Sequence, residues 1–179
     1  MKMTTKKLCI IAMGIALFVA LSLCLQVPVF ENYYLCLGYV VMAIYCYFFG
    51  PISGMLIGGL GVVAYCLLTS GLRGMPGWTL GNIVIGLVVG LVCIATKKIQ
   101  NRVLQQILII VSVILSTAVA MLGVKSLVES ILYAQPFLLR AAKNVYAFVA
   151  DAVVLIISFP MCPALQPVIY KLFPDLAKK

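Results

Sequence analysis

Ser70-Gly-Leu-Arg-Gly-Met-Pro-Gly-Trp-Thr-Leu-Gly-Asn82 interrupts a long apolar run in the first hundred residues. Before it, Leu35 to Thr69 is almost wholly apolar or small; after it, Ile83 to Ala95 is apolar again. The stretch holds a cation (Arg73), a turn that starts a helix (Pro76, Gly77), an aromatic anchor (Trp78) and an amide (Asn82). Glycines followed by a proline in a first helical turn mark a break and then a new helix. Two apolar runs joined by such a corner read as membrane helices. The corner itself reads as an outward-facing mouth over a small-molecule site inside a helical bundle.

The rest of the chain has the composition such a bundle needs. It is 65% hydrophobic and 9% charged, with a mean hydropathy of +1.21. A soluble domain carries about 25% charged residues. The 179 residues are therefore expected to form one all-α integral membrane domain, residues 1–179, a bundle of six transmembrane helices. The net charge of +9 comes from cations that flank apolar segments, and no basic run carries the interleaved aromatics of a nucleic-acid binder. Seven cysteines form no C-x-x-C pair and sit mostly in apolar runs, as small buried hydrophobes. There is no histidine, and the only acids are Glu31, Glu129, Asp151 and Asp175. That composition argues against an enzyme, a metal site or a bound cofactor. No G-x-x-x-x-G-K-[ST] phosphate loop is present, so energy for any ATP-driven transport must come from another chain.

Taken in order, a basic head (Lys2, Lys6, Lys7) precedes an uncharged run at 8–27, long enough to cross a ~30 Å hydrocarbon core. A cleaved signal peptide would begin the same way, but no clear cleavage site follows before Pro28, so a retained helix is expected. Ala12, Ala16 and Ala20 recur every four residues and stripe one helix face. Such a stripe admits another helix, either from the same bundle or from a partner. The loop from Val27 to Tyr34 carries Pro28, Glu31, Asn32 and two tyrosines. Further spans are expected at 35–49, 52–69, 78–96, 104–124 and 144–161. Gly50-Pro51 turns the second into the third, and Pro160, Pro163 and Pro167 close the sixth. Lys125 to Lys143 reads as the longest polar connection, part of it extending helices above the membrane.

Charge sets the expected orientation. The head, the 96–102 loop and the tail hold three cations each, against Arg73, Lys125, Arg140 and Lys143 on the other side. This bias places both termini in the cytoplasm and gathers the Val27–Tyr34, Ser70–Trp78 and Lys125–Lys143 connections outside as a lid. Asp151, about ten residues into the sixth span, must face the interior, as a ligand acceptor, an ion site or a structural partner. Asn144 lies two turns before it on the same face. Trp78 and Asn82, four apart, stack an aromatic plane beside an amide, a pairing that suits a flat heteroaromatic ring; Trp78 also suits an interfacial belt. Lys125 either pairs with Glu129 four residues on or reaches a ligand oxygen, and Tyr39 points to lipid or to the cavity. The candidate binding set is therefore Tyr39, Trp78, Asn82, Lys125, Asn144 and Asp151. Glu31, Tyr34, Arg73, Gly74 and Gln135 are the candidate gating residues of the outer loops.

Several segments in order carry a resemblance: the basic head, Ala-Met-Gly-Ile-Ala-Leu-Phe-Val-Ala from Ala12, Leu-Gly-Tyr ending at Tyr39, and Phe-Phe-Gly-Pro-Ile-Ser-Gly-Met-Leu-Ile-Gly-Gly-Leu-Gly ending at Gly61. With Leu-Tyr-Ala-Gln-Pro-Phe ending at Phe137 and Ala-Asp-Ala-Val-Val from Ala150, they resemble the S component of energy-coupling-factor (ECF) vitamin transporters, riboflavin-type subgroup. The resemblance implies six helices and capture of a vitamin-sized ligand from outside. It also implies delivery through a transmembrane T subunit with two ATPase subunits, in the plasma membrane of a prokaryote. It further implies that Ala12, Ala16 and Ala20 meet the T subunit and that the first, third and fifth loops close the site. The third span departs from the pattern: Val62, Val63, Ala64 and Tyr65 stand where related chains often carry polar or charged residues. Riboflavin is the leading ligand, with pyridoxine-like vitamins or another small heterocycle open. A self-sufficient ion-coupled carrier and a non-transporting membrane scaffold are the competing readings.

Overall fold

In lipid, backbone N–H and C=O groups have no water to turn to, so long apolar runs become helices that satisfy their own hydrogen bonds. A computed structural model of the chain follows that rule. It describes residues 5–24, 26–30, 33–69, 71–72 and 74–173. Helix α1 is Thr5–Cys24, α2 Gly38–Phe49, α3 Pro51–Thr69, α4 Met75–Thr96, α5 Arg102–Ala118, α6 Ser126–Tyr133 and α7 Phe137–Leu172. Strands β1 (Gln26–Phe30) and β2 (Tyr33–Cys36) pair antiparallel between α1 and α2, with Val27 opposite Leu35. A π-helical segment, Val119–Lys125, joins α5 to α6, so Arg102–Tyr133 is one helical rod of 32 residues.

Five of these helical stretches are long and apolar enough to cross a bilayer: α1, α3, α4, the α5–π–α6 rod and α7. The remaining apolar helix, α2, has 12 residues and rises only ~18 Å. The residues expected to begin its span, from Leu35, instead belong to β2 and a turn at Leu37.

The first span ends at Cys24 and not at residue 27, and three further stretches differ from those expected. The connection at 125–143 is not a polar loop: helix continues through Leu127, Ile131 and Leu132 to Tyr133, and the break is only Ala134-Gln135-Pro136. Ala134 caps α6 in the left-handed conformation (φ 50°), and α7 starts at once behind Pro136. The prolines at 160, 163 and 167 do not close the last helix, which runs through them to Leu172. Each proline removes one backbone hydrogen bond, a loss that a helix clamped by packing survives. The clamp is visible in Phe159 and Cys162, both fully buried. Finally, the 27–34 segment is a hairpin over its described residues, which lets the chain pair its own backbone where α2 is too short to fill the depth of a bilayer.

The helices alternate in direction. At one end Tyr45 donates to the Ile10 carbonyl, Phe48 meets Tyr170 and Phe49 meets Phe173. At the other end Gly38 lies against Ser22 and Phe18, Tyr65 meets Trp78, and Asn144 reaches α6. Gly50, at φ 85°, makes the turn between α2 and α3 that a side chain would strain. Helices α3 and α4 form the closest pair. A Cβ on Gly86 would lie 2.5 Å from the Gly54 carbonyl carbon and 2.6 Å from the Met55 nitrogen, so the two backbones touch.

Phe18, Tyr39, Met42, Ile57, Ile85 and Phe159 anchor the shared core. Outside it, leucines such as Leu67, Leu91 and Leu115 are exposed, the surface a lipid solvent requires. All seven cysteines are free; Cys9 and Cys24 are exposed and the other five buried. On α1, Gly14 faces inward against Tyr45 and Ile57. Ala12, Ala16 and Ala20 face outward, so the alanine stripe is not used for packing within this chain.

Candidate functional site

Polar side chains converge in the half of the bundle that holds the β-hairpin and the α6–α7 corner. Tyr39 comes from the first turn of α2, and its hydroxyl is a hub for three helices. It lies 2.7 Å from Asp151 Oδ2 on α7 and 2.9 Å from Asn82 Oδ1 on α4, and it accepts from Trp78 Nε1 at 2.8 Å. Tyr39 and Asn82 are fully buried and Asp151 is 4% exposed. One hydroxyl proton serves one acceptor. Given to the carboxylate, it leaves the Tyr39 oxygen to be met by the Asn82 amide nitrogen, with the amide turned over. As oriented, Asn82 Nδ2 is buried with no hydrogen-bond partner.

Aromatic rings frame the hub. Phe18 meets Tyr39 edge-on at 6.1 Å and Tyr65 meets Trp78 edge-on at 5.7 Å. The i, i+4 spacing does put Trp78 and Asn82 on one face, and both point at Tyr39.

A second cluster joins α6 to α7. Asn144 Nδ2 donates to Ser126 Oγ at 2.9 Å and to Glu129 Oε2 at 3.1 Å. Arg140 Nη1 lies 3.8 Å from the same carboxylate, and its guanidinium stacks 4.7 Å over the Tyr133 ring. Lys125 is only 7% exposed and sits in the electrostatic field of Glu129, Asp151 and Arg140, which links the two clusters. The approach is close because Gly77 has no side chain: a Cβ there would lie 3.2 Å from Lys125 Cγ and 3.3 Å from Glu129 Cγ. Two acids and two bases thus balance one another inside an apolar bundle, which buried charge demands.

The six expected binding residues therefore fall into two neighbouring groups. Tyr39, Trp78, Asn82 and Asp151 share one network; Asn144 belongs to the other, with Lys125 between them. Although Asn144 and Asp151 lie on one helix, they serve different partners. Of the expected gating residues, Gly74 caps α4, its carbonyl accepting from the Trp78 N–H at 3.1 Å. Gln135 lies at the α6–α7 corner, its carbonyl accepting from Ser130 and its side-chain Oε1 buried without a hydrogen-bond partner. Tyr34 pairs by its backbone in the hairpin, while Glu31 and Arg73 lie outside the described residues. Ser126, Glu129 and Tyr65 were not singled out as binding candidates by the sequence. The signal for Glu129 is its spacing from Lys125; Tyr65 is marked only as the last of four residues at which the third span departs from the family pattern.

Two clefts lie away from these networks. One, of about 360 Å³, is lined by Arg102, Pro163, Gln166, Pro167 and Tyr170 at the opposite end. The other, of about 110 Å³, lies between α3 and α4 beside Met55 and Thr79. Chemically, the networks offer an acceptor carboxylate, an amide, hydroxyls, paired cations and aromatic edges. That is equipment for holding a polar ring, with nothing arranged as a nucleophile and its base.

The bundle gathers its buried charged and amide side chains in one half and leaves its outer faces apolar, and the class it belongs to is that of transporter membrane components. Its fold is similar to the crystal structure of the S component for biotin from an ECF-type ABC transporter. The TM-score is 0.63 with 16% identity, covering 93% of this chain and 95% of that one. The sequence matches the family of ECF-type riboflavin transporter S components over residues 2–166, and the chain belongs to that family. It is also 34% identical over 141 residues to a UPF0397 protein of Vibrio atlanticus, covering 76% of this chain and 77% of that one. A UPF0397 protein of Aliivibrio fischeri is 31% identical over 141 residues, 76% of each chain. One from Lactococcus lactis subsp. cremoris is 39% identical over 80 residues, covering 43% and 42%. The family and fold are those of transporter S components and not of enzymes.

Proposed function

We propose that this chain is the substrate-binding subunit of an ECF-type importer and captures a vitamin-sized heterocycle, riboflavin first among candidates, from outside the cell. The observation that carries this reading is the convergence of Tyr39, Trp78, Asn82 and Asp151 from α2, α4 and α7 on one buried point. An aromatic wall beside an amide and a carboxylate suits a flat ring edged with N–H and C=O groups. Riboflavin carries such an edge, and so does biotin, for which the similar S component is named.

In this reading α2 crosses as a sixth, short span with the hairpin completing its depth, and both termini lie in the cytoplasm of a prokaryotic cell. Cations support that orientation, nine on the side of the termini against four on the other. Gly74 and Gln135 belong to the outer gate, together with Glu31, Tyr34 and Arg73. The outward-facing stripe of Ala12, Ala16 and Ala20 docks on a T subunit, and two ATPase subunits drive release.

The test is to purify the chain alone and identify what travels with it by mass spectrometry, then titrate it with riboflavin and with biotin. The expected result is a co-purifying or added heterocycle bound one to one without ATP, with flavin fluorescence quenched on binding. Absence of any co-purified small molecule, together with no thermal stabilisation by either vitamin or by pyridoxine, would overturn the reading.

A further inference from the structure

The buried positions of the α5–π–α6 rod step regularly at first: Ile109, Val113, Ser116 and Thr117, then Ala120 and Met121. These are the steps of three and four that keep one helix face inward. Beyond Met121 one row keeps the step of four, to Lys125 and Glu129, but the row of Ser116 and Ala120 ends there, and Ser126, five beyond Met121, is buried in its place. The jump falls in the π-helical segment Val119–Lys125. A π turn holds one residue more than an α turn, and such turns inside α-helices are frequent at functional sites.

The alternative register can be read off the sequence. An unbroken α-helix continuing Ile109–Val113–Ser116–Ala120 would turn positions 124, 127 and 131 inward: Val124, Leu127 and Ile131, all apolar. At about 100° per residue, Lys125 would then stand about 90°, Glu129 about 130° and Ser126 about 170° from the midpoint of the buried pair Ala120 and Met121, off the inward face. The protein does the reverse. Leu127 is 55% and Ile131 74% exposed, whereas Lys125 is 7%, Ser126 0% and Glu129 5% exposed. Two contacts fit this register. Ser126 Oγ donates to the Met121 carbonyl, five residues back, at 3.0 Å, and so occupies the widened turn. On α4, Gly77 supplies the space against which Lys125 and Glu129 pack.

We propose that the extra residue held in the π segment is the positioning device of the site, turning Lys125, Ser126 and Glu129 into the bundle and sending Leu127 and Ile131 to lipid. That these residues serve ligand binding rests on the function proposed above; the register itself does not. The device explains why the polar half of the site lies on a stretch whose apolar spacing, continued as an α-helix, would point its charges outward.

The register is tested in the whole chain in bilayers, in a Cys9→Ser, Cys24→Ser background, by single nitroxide labels at positions 124–131 and their collision with oxygen. Maxima at 127 and 131 with minima at 126 and 129 are expected; minima at 124, 127 and 131 would overturn the proposal. A length test follows. A Cβ on Gly123 meets nothing within 4 Å, so Gly123→Ala keeps the register. Deletion of Gly123 makes Lys125 the fourth residue after Ala120, so a plain α turn still holds it inward, whereas one alanine inserted after Gly123 turns it about 100° further round. In the insertion, Lys125, mapped by peptide mass spectrometry, should react with acetic anhydride about tenfold faster or more, because its burial is lost, and riboflavin retention should fall with it. The deletion and Gly123→Ala should match the wild type in both. A folded insertion protein with Lys125 as protected as in the wild type, or a folded deletion protein with Lys125 released, would sink the idea. A variant that does not fold leaves the nitroxide scan to decide. If the wild type itself retains no riboflavin, the vitamin assignment fails, and the label scan and acetylation still decide the register.

Discussion

Tyr39 does more with one atom than any other described residue. Its hydroxyl ties Trp78, Asn82 and Asp151 together, and all three would be left without that side-chain partner by its loss. Tyr39→Phe should therefore lower unfolding stability in detergent by about 1–3 kcal/mol, the cost of orphaning buried polar groups, and weaken ligand binding by about tenfold. Asp151→Leu should cost a similar amount of stability. Asp151→Asn keeps an acceptor for the Tyr39 proton and should cost less than about 1 kcal/mol. Thermal unfolding of the three variants side by side checks the order; equal losses for Asn and Leu would mean that the carboxylate's charge, not its hydrogen bond, is what matters. Parts of this network were legible in the sequence. Trp78 and Asn82 are four apart, a spacing that fixes a shared face, and a lone Asp151 in an apolar run has nowhere to go but inward. Tyr39 was not legible in the same way. A tyrosine is at home against lipid or core, and only the packing of α2 against α7 decides which.

At the scale of elements, the spans were legible because lipid admits so few solutions, and their ends were less so. The 125–143 stretch reads as a polar connection when its Lys, Glu, Gln and Arg are counted. The chain instead keeps helix through it, because those polar groups find one another across α6 and α7. The Asn144–Ser126–Glu129 cluster was hidden for the same reason: its register depends on a π segment that spacing rules for an α-helix do not contain. Helix crossings give a sharper prediction. Gly86→Val inserts a side chain where α3 and α4 touch backbone to backbone, and should cost about 1–3 kcal/mol, or more if the helices cannot part. Gly74→Ala, at a helix start where a Cβ meets nothing within 4 Å, should stay within about 0.5 kcal/mol of the wild type. Urea or thermal melts of the pair provide the measurement, with Gly74→Ala as the built-in control.

For the whole molecule, the site and the alanine stripe lie on different surfaces, one enclosed by helices and the other facing out from α1. A change on the stripe should therefore separate the two tasks. Ala16→Trp is expected to leave vitamin binding and melting temperature within experimental error of the wild type. It should also abolish co-purification with a T subunit and two ATPases, and uptake with it. Loss of binding in Ala16→Trp would show instead that α1 is coupled to the site.

The two exposed thiols have a practical consequence. Cys9 and Cys24 lie at opposite ends of α1, 15 residues apart in sequence, while the other five cysteines are buried. On a helix that separation spans ~22 Å. The unaltered protein thus carries its own ruler along the helix that shows its alanines to the outside. A pair of reporter dyes on those thiols would read the tilt of α1 against the membrane plane.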